Sequence, residues 1–143
     1  MRTKTAAESG SLGAIPPAVA EFVTTVMGHH QAALDQWNRV LAISGRPPVT
    51  TPDPRLQPTV DSVDAAFKNV KDVVGAARLA LMLEDIASQT YLAAIPKLKA
   101  PESIALAASI QPIDKDAAVL HFVLGEYPVP DVFAKTEKAA SPS

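Results

Sequence analysis

The stretch ARLALMLEDIASQTYLAAIP, Ala77 to Pro96, decides the fold. Leu81, Glu84, Ser88, Tyr91 and Ile95 recur in steps of four and three, which places them on one stripe of a helix. The stripe continues upstream through Val63, Phe67, Val70, Val74 and Ala77. The spacing predicts one helix over 60–95, ended by Pro96. Such a helix is roughly 50 Å long at 1.5 Å per residue, and that length suits an antiparallel bundle. Its oddity is Glu84, a carboxylate on the inward stripe with Asp85 beside it.

Two further helices frame this one. The segment from Pro16 and Pro17 to Gly45 carries Val19, Phe22, Val23, Val26, Met27, His30, Leu34, Trp37 and Leu41 at helical spacing. It predicts a helix over 16–44, with proline in the first turn and Gly45 at its C-terminal stop. RPPVTTPDPRLQP follows as an extended loop, and Thr59 or Asp61 is the expected cap of the next helix. The third helix is expected over 101–124, with Pro101 and Glu102 in its first turn and Gly125 ending it. Pro112 inside it predicts a kink or break. The class is all-α. Residues 1–15 form an N-terminal segment, 16–135 the bundle, and 136–143 a polar tail expected to fray. Three amphipathic helices leave a groove where a fourth would lie, so a homo-oligomer or a partner helix is expected to cover it.

Composition narrows the function. The chain has 143 residues, 48% of them hydrophobic, enough for one domain with a core. A formal charge of -2, with scattered basic residues, argues against nucleic acid as a partner. There is no cysteine, which removes disulfides, thiolate metal sites and cysteine nucleophiles. No apolar run is long enough to form a transmembrane segment, and no signal peptide is visible. A cytoplasmic location is expected if Met1 is the true start. Gly-rich phosphate loops, GxSxG, HExxH and calcium-loop patterns are absent.

Glu84 has two readings. One is a metal-bridging carboxylate of a bundle core; the other is a core glutamate paired with Arg78, Lys97 or a histidine. His30 sits on the inner stripe of the first helix, and imidazole suits iron, zinc and manganese. Its alternative is a histidine at the edge of the stripe with a single hydrogen bond. His29 lies about 100° around the helix from it. On the third helix Asp114, Ala117 and His121 share a face, but Asp114 and His121 are about 10 Å apart in rise and cannot chelate one ion together. Asp114 can instead belong to the turn at Pro112, and His121 to the surface.

VMGHHQAALDQWNRVL, LMLEDIASQTYLAAIPKL and AASIQPIDKDAAVLHFVLGEYPVPDVFAKT together resemble the ferritin-like domain proteins of actinobacteria, which are often exported. The resemblance runs from Gly10 to Lys135. It implies a four-helix bundle whose metal-competent members hold two irons. Their ligands are Glu on the first helix, Glu-x-x-His on the second, Glu on the third and Glu-x-x-His on the fourth. Under this resemblance the first helix here matches the family's second, with Met27 at the acid position and His30 at the histidine. Glu84 matches the carboxylate of the third, and Asp114 the acid of the fourth, where Ala117 replaces the histidine. The family's first helix is missing, apart from a last turn in KTAAESGSLGAIPP. The resemblance thus implies a vestigial ligand set of His30, Glu84 and Asp114, with no catalytic residue and no resident cofactor. It implies iron or manganese only if the site functions. The function expected is that of a non-catalytic interaction or structural protein of the cell envelope. The alternative is a ferroxidase or di-iron oxidase completed by an upstream helix or a partner subunit. A third reading is a binder of apolar ligands in the open groove.

Overall fold

The structure is a computed structural model. It describes residues 16–110, 114–126 and 135–140, with Asp114 and Lys115 described in their backbone alone. The described residues form five α-helices and no strand: α1 (Pro17–Ile43), α2 (Gln57–Lys68), α3 (Val73–Ala94), α4 (Pro101–Ile110) and α5 (Asp114–Val123). Short 3-10 turns at Pro54–Leu56 and Ile95–Lys97 precede α2 and follow α3.

α1 begins on Pro17 and stops where the sequence expects. Gly45 adopts φ +70, a left-handed conformation that costs glycine nothing sterically. Its N–H bonds Ala42 and the Arg46 N–H reaches back to Leu41, the double closure of a Schellman turn. Gly125 (φ 74) repeats the motif after α5, with Glu126 N–H bonding His121. After Gly45 the chain folds back beside α1. The Asn38 carboxamide receives the Val49 N–H at 2.8 Å and donates to the Val49 carbonyl at 3.2 Å, standing in for a strand partner of the proline-rich loop.

The helix expected over 60–95 is two helices. α2 ends at Lys68, where the Asn69 side chain bonds the Ala65 carbonyl. α3 starts anew at Val73, capped by the Asp72 carboxylate on the Gly75 N–H at 2.7 Å. Asparagine and aspartate compete with helical hydrogen bonds through their short side chains, and that competition wins here over a continuous apolar stripe. A side chain on Gly75 would press a Cβ to 3.2 Å from that same carboxylate. The cap expected from Thr59 or Asp61 is also corrected: α2 begins upstream of both, on Gln57, with no side-chain cap. Pro112 lies outside the described residues, between α4 and α5.

Contacts between α1 and α3 keep a fixed offset. His30 meets Glu84 and, two turns on, Trp37 meets Tyr91, each pair separated by 54 residues. A constant positive offset means the two helices run parallel. A parallel pair needs a connection that travels back the length of the bundle, and residues 44–72 provide it, as in bundles with one long crossover. α5 runs antiparallel to both: Asp116 meets His29 at one level and Glu126 meets Arg78 nearer the other end. The buried apolar residues are Val26, Ala33, Val63, Leu79, Ala107, Ala117 and Leu120. The remnant of a first helix expected within residues 1–15 lies outside the described residues. The tail expected to fray is partly docked: Lys138 N–H bonds the Gln89 carboxamide, Lys138 Nζ the Asp85 carboxylate, and Ala140 N–H the Thr90 hydroxyl.

Candidate functional site

Glu84 lies at the middle of α3, 3% exposed, with Ser88 buried one turn on. Its neighbour across the interface is His30, at the middle of α1, whose Nε2 lies 3.1 Å from Glu84 Oε1. The carboxylate accepts, so the imidazole N–H donates. Glu84 Oε2 is buried without a hydrogen-bond partner. An unpaired buried oxygen of this kind costs about 1–3 kcal/mol. The hydrogen bond to Glu84 raises the His30 pKa above its ordinary 6.5; burial opposes this, and the charges of Glu84 and Asp116 add to it.

Next to this pair stands a second imidazole–carboxylate pair. His29 Nδ1 lies 3.1 Å from Asp116 Oδ2, with the histidine side chain half in solvent and the aspartate mostly covered. Asp116 was not singled out by the sequence. α4 and α5 are separate helices, so the periodicity of α4 gives no guide to which face of α5 looks at α1. The side chain of Asp114 lies outside the described residues. Ala117, which the resemblance sets at a histidine position, is buried at 3% exposure and packs as core. His121 is half-buried and its Nδ1 meets Glu126 Oε2 at 2.8 Å, while Arg78 holds the other carboxylate oxygen at 3.1 Å. The His121 hydrogen bond, before all else, holds Glu126 below its usual carboxylate pKa; Arg78 adds to this and burial opposes it. Arg78 is therefore engaged away from Glu84, and of the partners expected for Glu84 the histidine is the one that reaches it.

Two turns beyond the pair, Trp37 and Tyr91 stack with ring centroids 6.3 Å apart and planes at 13°. The indole N–H donates to the Tyr91 hydroxyl at 3.2 Å. Burial pushes the Tyr91 phenol up, and the Trp37 hydrogen bond partly offsets this. This contact locks the register that brings His30 to Glu84.

The arrangement is that of a ferritin-like bundle: a parallel pair of long helices, an antiparallel partner, and an inward carboxylate–imidazole pair at mid-height. The sequence profile of the ferritin-like domain family matches residues 3–126, and the chain belongs to that family. The match begins earlier and ends sooner than the span from Gly10 to Lys135 that the resemblance suggests. Comparison with curated proteins and with solved structures gives no match.

The described residues around Glu84 do not by themselves make up a site for a pair of metal ions. Such a centre in this fold uses six protein ligands, four of them carboxylates. Among the described residues no group of three or more His, Asp or Glu side chains is arranged to hold an ion. His30 and Glu84 supply one nitrogen and one free oxygen. Met27, one turn before His30, offers a thioether, which is a poor ligand for a hard ferric ion. What the pair can do chemically is hold a proton on His30 against a buried carboxylate.

Proposed function

We propose that this chain is a non-catalytic ferritin-like domain that acts as an interaction or structural protein. The observation that carries the reading is the direct bond from His30 to Glu84, in the layer where metal-competent members place bridging ions. An imidazole donating to the carboxylate takes the role a cation has there, and Met27 and Ala117 stand where a motif acid and histidine would be. The resemblance to exported actinobacterial proteins suggests the cell envelope as its place of work. α5 offers the face for an interaction: Val119, Phe122 and Val123, spaced as one helical face, are 46%, 72% and 58% exposed. A second copy or a partner helix covering that face is the expected partner. Among the described residues no helix is long and apolar enough to cross a membrane.

One observation favours a second reading, a ferroxidase or di-iron oxidase whose site is completed by a further helix or subunit. The buried Glu84 Oε2 has no hydrogen-bond partner, and an oxygen so placed is available to a cation. Titration with ferrous iron, monitored by oxygen uptake, separates the two. The non-catalytic reading expects no uptake above that of free iron. Stoichiometric uptake that disappears in Glu84→Gln overturns it.

A further inference from the structure

Beyond the Glu84 layer, toward the start of α1, the three helices form a half-open cavity of about 490 Å³. Val19, Phe22 and Val26 line it from α1, Ala77 and Ala80 from α3, and Leu120 from α5, with the exposed Val119 and Val123 at its rim. The cause is visible in the sequence. α3 sets Ala76, Ala77 and Ala80 against the valines and phenylalanine of α1, and methyl groups leave a volume that no described residue fills. Apolar surface facing water in this way is unfavourable, and a bound apolar group removes it from solvent. The volume falls in the range of small-molecule sites, which are mostly apolar with few polar groups.

Its charged lining is acidic. Among the described residues, Glu21 and Asp116 are the charged side chains that line it, and Asp116 also meets His29 at 3.1 Å through one of its two oxygens. Asp116 stands at the end near the His30 layer, since it bonds His29. Glu21 is exposed, some eight residues back along α1, where the cavity meets solvent. The apolar lining spans Ala18 to Val26 along α1, a length of about 12 Å at 1.5 Å per residue. This is the reach of a medium alkyl chain.

We propose that this cavity is a ligand site for an apolar molecule bearing an amine, a short cationic amphiphile. Its chain lies among the valines and alanines, and its ammonium is drawn by the carboxylates of Glu21 and Asp116. The same charges repel a fatty acid of equal length. The proposal stands whether or not the Glu84 layer ever binds metal, because none of the cavity's lining belongs to the His30–Glu84 pair.

Calorimetric titration of the full chain at neutral pH with octylammonium, octanol and octanoate tests it. Octylammonium is expected to bind one per chain and at least tenfold more tightly than octanoate, with octanol between them. In the double variant Glu21→Gln, Asp116→Asn, octylammonium is expected to fall to the octanol value. Ala80→Phe, which places a ring in the cavity, is expected to abolish binding of all three while circular dichroism remains helical. If Ala80→Phe does not fold, the charge variant alone carries the test. Three results overturn the proposal: octanoate binding as tightly as octylammonium, unchanged binding in folded Ala80→Phe, or no binding of any probe. The last would mean that the cavity does not admit small ligands.

Discussion

His30 and Glu84 stand 3.1 Å apart across the parallel interface of α1 and α3, and the second oxygen of that carboxylate has no hydrogen-bond partner. A buried carboxylate satisfied on one side only is a compromise between an imidazole hydrogen bond and incomplete solvation of the charge. Replacing Glu84 with Gln keeps the shape and an acceptor for His30 but removes the charge. The expected result is a stability within about 1 kcal/mol of wild type, or above it, read by urea denaturation. Glu84→Ala should cost more, because it leaves both a void and an unpaired His30. A Gln variant destabilised as much as the Ala variant sinks this account.

Thermal melts with ferrous iron or manganese test the same layer from the metal side. A ligand that binds only the folded state raises the melting temperature by mass action. No metal-dependent shift is expected in wild type or in Glu84→Gln. A rise of several degrees in wild type alone would restore a working metal site.

The pair also predicts a pH dependence. His30 is raised above 6.5 in the folded state, by its bond to Glu84 before all else. The folded protein therefore holds this proton more tightly than the unfolded chain. The stabilisation is complete below the unfolded value of 6.5 and is lost as pH rises through the higher folded value. His30 ring signals followed by NMR should titrate above 6.5, and in Glu84→Gln the midpoint should fall. A wild-type midpoint below the model-peptide value contradicts the geometry.

Asp72 restarts the helix after Asn69 by capping the Gly75 N–H at 2.7 Å. Asp72→Ala should cost about 1 kcal/mol, the usual worth of such a cap, and should leave the denaturant slope unchanged. Asp72→Asn should cost less than half of that. Equal losses in the two variants would mean that the cap is not the source of the effect.

The tail prediction concerns Thr90. Its hydroxyl receives the Ala140 N–H at 2.8 Å, and Gln89 receives that of Lys138. Thr90→Val with Gln89→Leu removes both acceptors. The expected outcome is faster proteolysis within 135–140 and a global loss of no more than about 2 kcal/mol, since each bond is worth roughly 1. Unchanged cleavage rates would show that these bonds do not hold the tail.

Surface association rests on α5. Phe122 is 72% exposed beside Val119 and Val123. Sedimentation is expected to show a complex that Phe122→Asp shifts toward the monomer. A clean monomer at high concentration in wild type removes the case for self-association.

Local chemistry was legible in the sequence. Pro17, Gly45, Pro96 and Gly125 bounded helices because each acts on its own few residues, through a fixed φ, a missing N–H or access to positive φ. The inward position of Glu84 followed from the 3.6-residue period, which is equally local. The break between Lys68 and Val73 was written there as well, in Asn69, Asp72 and Gly75. The regular stripe of Val63, Phe67, Val70 and Val74 masked it, and Val74 in fact stands 55% exposed.

What only the tertiary structure decided was pairing. No period within α1 or α3 states that the two helices run parallel with an offset of 54, so the sequence left Glu84 open to Arg78, Lys97 or a histidine. The choice of His30 depends on how the crossover of 44–72 sets one helix against the other and on the stacking of Trp37 against Tyr91. The facing of Asp116 toward His29 depends on how α5 is rotated against α1. The cavity is the same kind of fact. Alanines on one helix and valines on another are each ordinary, and they leave a void only when packing brings them opposite one another. Periodicity fixes which face of a helix turns inward; it carries no information about which neighbour that face will meet.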